Sequence, residues 1–361
     1  MVEWKKLGDS CKMVTPPKKL GKELYGVNGD FPIIDQGQKD IIGYTDDESS
    51  LVPNDEYVLF GDHTRYVKFF KGRFAQGADG LKILKADADV LPRYFFYAFS
   101  NTEVPSRGYS RHWSIAKELL IPIPSLDEQN RIVGILDTFT ASIDNLKEQI
   151  AQRRKQYEYY RDQLLDLEGK EGVEMKILRS IVKSYCTGAT PNKGHLEYYE
   201  SGTIPWLRTQ DVKFNEIYEI DSFVTEEAVA KTGVKWIPSN CVIVAISGAT
   251  AGRCAINKIP TTTNQHCLNL EINPQKALYK YVFYCVFNAY SDMVSKKQGA
   301  RGDLNSSIIL GITIPVPSLS EQQRIVDILD KFEASIANLE AQLSQREKQY
   351  EYYRNKLLTF E

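Results

Sequence analysis

Apolar and aromatic side chains recur at alternating steps of four and three residues in two separate stretches of the chain. The first stretch starts at Ile132 and the second at Ile325. Spacing of this kind, kept over about five heptads, predicts the seam of a coiled coil. The predicted seam positions are Ile132, Leu136, Phe139, Ile143, Leu146, Ile150, Tyr157, Tyr160 and Leu164, and then Ile325, Leu329, Phe332, Ile336, Leu339, Leu343, Tyr350, Tyr353 and Leu357.

Both predicted helices start with the same local signals. Ser125 and Ser318 are each followed three residues later by a glutamate, Glu128 or Glu321, which is the pattern of a capping box. A Pro-x-Pro sequence before each serine prevents the helix from starting earlier. Each helix is then about 40 residues, or roughly 60 Å, long.

Two helices of this kind in one chain most simply bury their seams against each other, and we expect an antiparallel pair. The alternative is a coiled coil used only for homodimerisation. Arg153 and Arg346 interrupt the seam at equivalent places, as a register device or an external contact would. The Tyr-Glu-Tyr-Tyr segments at 157–160 and 350–353 are either docking surface or packing.

The chain contains an internal repeat. Residues 121–168 align without gaps on residues 314–361, and 32 of the 48 pairs are identical. A weaker correspondence relates residues 2–7 to residues 173–178. The first offset is 193 and the second is 171, so the second half has a net 22 extra residues between its anchored ends. The predicted division is a first globular domain at 1–120, a helix at 121–168, a second domain at 169–313 and a helix at 314–361.

The two variable domains contain signals for both strands and helices. Short β-rich runs lie at residues 56–60, 66–70 and 241–246, and each is bounded by Gly, Asp or Asn. Helical stretches follow near 92–99 and 276–288. The predicted fold class is therefore α+β: two globular mixed α/β domains joined by two long antiparallel coiled-coil helices in a pseudo-two-fold internal repeat.

Composition narrows the class of protein. Of 361 residues, 42% are hydrophobic and 25% are charged, which is typical of soluble proteins with buried cores. The chain has no run of about eighteen apolar residues and no apolar segment after its first charges, so we expect neither a membrane span nor a secretory signal, and a cytoplasmic location. The six cysteines include no CxxC pair and are expected to be free thiols.

The usual signatures of catalysis are missing from the sequence. No P-loop and no G-x-G-x-x-G occurs, and the nearest approach, Gly248–Arg253, has the wrong spacing and no lysine. The four histidines have no metal-ligand spacing. We therefore expect no catalytic residue and no metal site, and a reader or scaffold rather than an enzyme. A single-chain nuclease or methyltransferase with an unrecognised site is the alternative from another class.

Charge is distributed unevenly along the chain. Residues 1–120 carry 17 basic and 17 acidic side chains, residues 169–313 carry 16 and 13, and the two helices together carry 12 and 17. A DNA-binding protein can be nearly neutral if its basic groups face one way. The candidate DNA-binding residues are Arg65, Lys68, Lys71, Arg73, Arg107, Arg111, Lys193, Arg208, Gln210, Arg253, Lys296, Lys297, Arg301 and Asn305.

Together these features resemble the specificity (S, HsdS-type) subunit of type I restriction-modification systems, and the resemblance covers essentially the whole chain. Its most specific part is Ile-Pro-x-Pro-Ser-Leu-x-Glu-Gln-x-Arg-Ile-Val before a long helix, present from Ile121 and again from Ile314. Residues 187–191, 204–208 and 263–267 resemble recurring text of that family's target-recognition domains. The first domain departs from the family pattern, because it keeps only a Thr-Pro and lacks the Asn-Gln-x-Cys text.

The resemblance implies a function. Each target-recognition domain would read one half of an asymmetric, bipartite double-stranded DNA target, and the helices would fix the half-site spacing at about one helical turn. Implied partners are two methyltransferase (M) subunits and restriction (R) subunits, with S-adenosylmethionine, ATP and Mg bound by those partners and no cofactor in this chain. A coiled-coil adaptor or homodimerisation protein without DNA specificity remains the alternative.

Overall fold

The structure, a computed structural model, describes residues 2–77, 79–108, 110–296 and 303–360. It divides into two compact units, of which the first comprises Met1–Gln149 and Leu339–Glu361 and the second comprises Ile150–Asn338. Each unit therefore combines one variable region with a segment of each long helix. No helix of the described ranges is both long enough and apolar enough to cross a bilayer.

The first unit contains a six-stranded sheet in the order β2-β7-β5-β6-β3-β4, in which only the β3–β6 pair is parallel. The elements of the first unit are β1 Glu3–Lys6, β2 Cys11–Val14, β3 Phe31–Ile34, β4 Gly43–Thr45, β5 Leu51–Gly61, β6 Val67–Gln76, β7 Leu81–Ala86, α1 Pro92–Ser100, α2 Trp113–Ala116, β8 Leu120–Ile123 and the first part of α3 Leu126–Leu165.

Helix α1 covers one face of this sheet. It starts at Pro92, where the missing N–H costs nothing because the first helical N–H has no intrahelical partner. Its aromatic side chains Tyr94, Phe95 and Phe99 are fully buried, together with Phe60 of β5. The β-rich runs expected at 56–60 and 66–70 fall on β5 and β6, so the expected α+β class is confirmed in this unit.

The second unit contains a five-stranded sheet, β10-β18-β15-β16-β12, and a four-stranded sheet, β13-β11-β17-β14. Its elements are β9 Glu174–Ile177, β10 Val182–Thr187, β11 Ile204–Leu207, β12 Asn215–Ile217, β13 Phe223–Val224, α4 Glu226–Lys231, β14 Trp236–Ile237, β15 Val242–Ala245, β16 Cys254–Asn257, β17 Thr261–Thr263, β18 Cys267–Ile272, α5 Tyr279–Asn288, α6 Tyr290–Ser295, α7 Ser306–Leu310, β19 Thr313–Val316 and α8 Leu319–Leu358, whose last part belongs to the first unit.

Part of the extra length of the second half lies within its sheets. In the first unit the long strand β6 pairs with β5 along its length and with β3 near its end. In the second unit its place is taken by two strands, β16 and β17, which pair with β15 and β11 and are separated by residues 258–260, including Pro260. Proline has no N–H for the sheet and so ends the ladder there. Strand β12 pairs with β16 before this break, and β14 pairs with β17 after it.

Short antiparallel pairs explain the weaker repeat near the start of each half. Strand β1 pairs with β8, placing Lys5 opposite Ile121, and β9 pairs with β19, placing Lys176 opposite Ile314. Residues 2–7 and 173–178 therefore have the same partner, the Ile-Pro text that leads into a long helix. In each unit this strand pair joins the beginning of the half to the segment that leads into its long helix. Similar sequence is therefore found at both ends of each half.

A buried glutamine explains the Glu-Gln part of the repeated motif. Gln129 is fully buried; its Oε1 accepts a hydrogen bond from the Leu91 N–H at 2.8 Å, and its Nε2 donates to the carbonyls of Asp89 (2.9 Å) and Pro124 (3.0 Å). Gln322 forms the equivalent bonds in the second unit. The motif thus fixes the start of the helix that follows each sheet, α1 or α5, to the start of a long helix.

The helix caps follow the prediction in part. Ser125 and Ser318 each accept a hydrogen bond from the N–H of the residue three positions later, at 3.4 and 3.3 Å. The glutamate of each motif, expected to complete a capping box, pairs with an arginine one turn further along: Glu128 with Arg131 at 2.6 Å, and Glu321 with its counterpart.

Within the first unit, the early part of α3 packs against the late part of α8. Phe139 stacks on Tyr353, with ring centroids 5.3 Å apart, and the Arg346 guanidinium lies 5.7 Å from the Phe139 ring centroid. Lys147 and Glu347 form an ion pair at 3.7 Å. Rising residue numbers on one helix meet falling numbers on the other, so the two segments are antiparallel, as expected.

The second unit repeats these contacts with the helices exchanged. Phe332 of α8 stacks on Tyr160 of α3 at 5.4 Å, and the Arg153 guanidinium lies 5.9 Å from the Phe332 ring centroid. The Tyr157 hydroxyl donates to Glu333 at 3.1 Å. The two arginines that interrupt the heptads therefore lie over the phenylalanine of the opposite helix, and the predicted internal repeat is confirmed in the helix pair.

Exposure varies along the predicted seam. Tyr160 and Tyr353, which belong to the stacked ring pairs, are exposed. Further along each helix Leu165 and Leu358 are buried, one position after the predicted Leu164 and Leu357. An α-helix drifts by about 20° per heptad, which shifts its apolar face by one residue over this distance. Buried positions are Ile132, Leu136, Ile143, Ile150, Tyr157, Ile325 and Leu329. Half-buried positions are Phe139, Leu146, Leu164, Phe332, Ile336, Leu339, Leu343, Tyr350 and Leu357.

Candidate nucleic-acid interface

Four loops of the first unit meet, and we call their described residues the first loop edge. It consists of residues 35–36, 62–66, 79–80 and 104–112 without 109. The Asp62 N–H donates to the Gly80 carbonyl at 2.6 Å, and the Thr64 hydroxyl donates to the Gln36 carbonyl. The His112 N–H donates to the Asp62 carbonyl at 2.8 Å. Two main-chain bonds and one side-chain bond thus hold loops from four parts of the sequence together.

Three predicted DNA-binding arginines lie on the first loop edge. Arg65 is exposed, adopts a left-handed backbone conformation (φ 64°) and donates to the Val104 carbonyl at 3.0 Å. Arg107 and Arg111 are exposed on the neighbouring loop. None of these three guanidinium groups pairs with a carboxylate of the described residues. They are therefore available to phosphates or base edges, which arginine binds through paired N–H donors.

The three other candidates of this domain lie on strand β6 and have partners within the unit. Lys68 is buried, its ammonium donates to the Asp35 carbonyl at 3.3 Å, and burial lowers its pKa. Lys71 pairs with Glu56 at 2.9 Å. Arg73 reaches Glu48 at 3.4 Å and lies over an aromatic ring. The structure therefore separates the loop candidates from the strand candidates, although they are neighbours in sequence.

The second unit has a corresponding set of loops, the second loop edge. It consists of residues 188–191, 208–211, 246–253, 264–266 and 303–305. The Asn264 N–H donates to the Leu207 carbonyl at 3.0 Å. The Ile246 N–H donates to the His266 carbonyl at 2.9 Å and the Leu304 N–H donates to the Ile246 carbonyl at 2.8 Å. Again the main chain joins loops that are distant in sequence.

Four described candidates of this domain lie on the second loop edge. Arg208 is half-buried, and its Nε is buried without a hydrogen-bond partner among the described residues. Gln210 is exposed and Arg253 is half-buried. Asn305 caps α7 by accepting from the Ile308 N–H at 2.9 Å, so its side chain already has a structural role. Lys193 and Lys296 are exposed, whereas Lys297 and Arg301 lie outside the described residues.

Gln265 is a further polar residue of the second loop edge that was not selected from the sequence. It is exposed, and its Oε1 accepts a hydrogen bond from the Thr190 hydroxyl. The segment carrying Thr190 is held tightly, because a Cβ on Gly188 would lie 1.9 Å from the Thr263 carbonyl oxygen. The Thr-Gly-x-Thr-Pro and Asn-Gln texts are therefore in contact, and this contact orients the Gln265 amide. Both segments can be recognised in the sequence, but the sequence does not show that they are in contact.

The two loop edges share a main-chain frame. The His112-to-Asp62 bond of the first corresponds to the Leu304-to-Ile246 bond of the second, and both measure 2.8 Å. In each unit a strand-end carbonyl also accepts from the following loop: Ile34 from Gly77 at 2.9 Å, and Leu207 from Asn264 at 3.0 Å. The frame is the same, and the side chains on it differ.

The described side chains give little indication of a metal site or of a reactive thiol. Within the described ranges, no group of three or more His, Cys, Asp and Glu side chains is arranged to hold a metal ion. All six cysteines are unpaired, and burial raises the pKa of Cys11 and of Cys241 to about 12. Thiols of this kind are poor nucleophiles, because the thiolate is the reactive form.

Comparisons with known proteins agree with this organisation. The family model described as Type I restriction modification DNA specificity domain matches residues 1–153 and 170–347. The specificity subunit of the Escherichia coli type I restriction enzyme EcoR124I/EcoR124II is 34% identical over 99% of this chain and 94% of its own length. A putative type I specificity subunit of Haemophilus influenzae, S.HindORF215P, is 26% identical over 99% of this chain and 96% of its own.

Solved structures show the same fold. The crystal structure of the type I restriction-modification S subunit from M. genitalium superposes with a TM-score of 0.68 at 18% identity, covering 100% of this chain and 97% of that one. A chain from a study of complex assembly and conformational transition of the type I R-M system has a TM-score of 0.60 at 15% identity, covering 99% and 96%. The repeated helices, the two variable domains and the match along nearly the whole chain have one explanation: the chain belongs to the family of type I restriction-modification DNA specificity subunits.

Proposed function

We propose that this chain reads an asymmetric, bipartite double-stranded DNA target, with one half-site for each of its two loop edges. The observation that carries the proposal is the shared main-chain frame with different side chains. Arg65, Arg107 and Arg111 stand on one frame, and Arg208 and Gln265 stand on the other. Equivalent positions with different donors and acceptors suit two different base sequences.

The proposed assignment follows the sequence division. Residues 1–120 form the first target-recognition domain and residues 169–313 the second. Residues 121–168 and 314–361 form the repeated helices, which scaffold two methyltransferase subunits and the restriction subunits. The relatives support this assignment, since they are specificity subunits of type I restriction enzymes and one solved structure concerns complex assembly.

In this proposal the chain supplies binding free energy and no catalytic group. S-adenosylmethionine, ATP and Mg belong to the partner subunits, where an adenine that has left the helix stack is methylated. Discrimination of about 1–3 kcal/mol per base pair comes from side chains of the loop edges that reach base edges. Arginine suits guanine, and an amide such as that of Gln265 suits adenine, because each forms two hydrogen bonds to its base.

The test is a genome-wide map of methylated adenine in the source cells and in cells lacking this chain. Loss of one asymmetric, gapped motif on deletion is the expected result, and restoration by the gene on a plasmid is the control. An unchanged map, together with no sequence preference of the purified methyltransferase complex for any mapped motif, would overturn the proposal.

A domain exchange tests the two-module reading. Replacing residues 1–120 by the first domain of another specificity subunit should change one half of the motif and leave the other half unchanged. The matched control replaces residues 169–313 and should change only the other half. Simultaneous change of both halves in either exchange would contradict the assignment of one half-site per domain.

A further inference from the structure

A buried histidine joins two loops of the first loop edge. His112 is 1% exposed, and its ring lies between the loop that carries Arg65 and the loop that carries Arg107. Its Nδ1 lies 3.0 Å from the carbonyl oxygen of Asp62, and its Nε2 accepts a hydrogen bond from the Arg107 main-chain N–H at 3.1 Å. One side chain thus bonds to both arginine-bearing loops.

The two contacts fix the tautomer of the ring. A carbonyl oxygen only accepts hydrogen bonds, so the Nδ1 facing Asp62 carries the hydrogen. The Nε2 of the same neutral ring is then an acceptor, which is what the Arg107 N–H requires. An apolar side chain at this place would keep neither bond, although its main-chain N–H would still donate to the Asp62 carbonyl.

Further bonds hold the same two loops. The buried Asp62 carboxylate accepts from the Trp113 N–H at 2.7 Å and pairs with Lys82 at 3.3 Å. From the same loop as Asp62, His63 Nδ1 lies 3.1 Å from the Ser110 carbonyl oxygen and donates to it. The loop between residues 105 and 112 is therefore attached at its first half through His112 and at its second half through His63.

The second unit has the same main-chain bond with a different side-chain contact beside it, since the Asp303 carboxylate accepts from the Gly248 N–H at 3.3 Å. The counterparts of Asp62 and His112 are Ile246 and Leu304, which are apolar. The Leu304 side chain is buried in the core of its unit. The bonds made by the Asp62 and His112 side chains are thus specific to the first unit, and the main-chain frame alone does not require them.

We propose that His112 is a positioning residue for DNA specificity, holding the Arg107 loop at a fixed place relative to Arg65. This inference rests on the proposed function, since it concerns the half-site read by residues 1–120. A loop held in its binding conformation loses less conformational freedom on binding, and its arginines discriminate bases only if their geometry is fixed.

Three variants separate positioning from folding. His112→Leu introduces the residue found in the second unit and removes both side-chain bonds. His112→Gln keeps an acceptor near the Nε2 position for the Arg107 N–H, and His112→Asn keeps a donor near the Nδ1 position for Asp62 only. Each variant is prepared as the complete complex with its methyltransferase subunits, and thermal unfolding is recorded alongside binding.

Binding is measured to duplexes that carry the mapped motif with both halves intact or with one half scrambled. For each half, the readout is the Kd of the scrambled duplex divided by the Kd of the intact duplex. We expect His112→Leu and His112→Asn to lower the ratio for the first domain's half about five- to tenfold, the size expected for one or two lost hydrogen bonds. His112→Gln should stay within about twofold of wild type, and the ratio for the second half should not change in any variant.

The outcomes are distinguishable. A folded His112→Leu complex with an unchanged first-half ratio would overturn the positioning role, as would an equal fall of both ratios with a lowered Tm. If His112→Leu does not assemble, equal ratios for the Gln and Asn variants would overturn it. A wild-type complex that discriminates neither half would instead refute the proposed function.

Discussion

Replacing the buried Gln129 by leucine tests the structural meaning of the repeated motif. Leucine has nearly the volume of glutamine, so the substitution leaves little cavity and removes chiefly the hydrogen bonds. Three main-chain groups lose their partner: the Leu91 N–H and the carbonyls of Asp89 and Pro124. These groups join the start of α1 to the start of α3, so the first unit should be destabilised.

The size of the effect follows from the number of bonds. A hydrogen bond in a protein contributes about 1 kcal/mol net, and a buried group left without a partner costs about as much or more. Three bonds therefore predict a loss of about 3 kcal/mol in the free energy of unfolding of the first unit. For a domain of this size that corresponds to a fall of about 6–12 °C in Tm.

The tryptophans allow each unit to be followed separately. Trp4 and Trp113 belong to the first unit, and Trp206 and Trp236 belong to the second. Urea titrations by fluorescence, in backgrounds where one pair is replaced by phenylalanine, report the two units one at a time. Gln322→Leu is the matched variant, since Gln322 makes the equivalent bonds in the second unit.

Each variant should shift the transition of its own unit. Gln129→Leu should shift the fluorescence transition of Trp4 and Trp113, and Gln322→Leu that of the other pair. A loss below about 1 kcal/mol for Gln129→Leu would refute the hydrogen-bond argument, because even one unpaired buried group costs that much. Equal shifts of both pairs with either variant would show that the motif does not act within its unit.

Three further predictions concern the loops and the helices. Arg107→Ala should weaken discrimination at the first domain's half-site by about 1–3 kcal/mol and leave the second unchanged, measured with duplex variants at fixed salt; an equal loss for every duplex would assign Arg107 to a phosphate. Gln265→Ala should relax one base position of the second half-site in the methylation map, and an unchanged motif would exclude base contact. Burial raises the pKa of Glu333, so the folded chain binds that proton more tightly, and stability falls as pH rises from the ordinary carboxyl range through the raised pKa. The stability of Glu333→Gln relative to wild type should therefore increase from pH 4 to pH 8, with the exposed Glu158→Gln as control; a pH-independent difference in urea titrations would contradict this.

Local pattern was sufficient for the helices and insufficient for the loops. The heptads and the repeat predicted two helices of about 40 residues, and α3 and α8 have that length. The shift from Leu164 to Leu165 was missed, because a strict 3.5-residue repeat was extended over a helix whose period is 3.6. The meeting of four loops around residues 62–64 depends on strand pairings between distant residues, and no local pattern encodes those.

The alternation of side chains along strand β6 distinguishes the basic residues of this strand from one another. Lys68 stands an odd number of positions from Lys71 and from Arg73, and alternate residues of a strand point to opposite faces. The structure agrees, since Lys68 is buried while Lys71 and Arg73 are exposed. Treating the whole basic run as one candidate surface left out this difference in exposure. Gln265 is the reverse case, because its importance depends on contact with Thr190, 75 residues earlier.

The division between repeated and unrepeated sequence separates the residues that hold the fold from those that can vary. Gln129 and Gln322, which fix each sheet to a helix, lie in the repeat, whereas Arg107 and Gln265 lie outside it. Main-chain hydrogen bonds join loops of each edge within its own unit, and these bonds do not depend on side-chain identity. New side chains on that frame can therefore change the bases that are read without removing the bonds that stabilise the unit. Where side chains also bond a loop, as at His112, fewer substitutions leave the loop in place. A substitution of His112 should therefore alter specificity through loop geometry, even though the ring is buried.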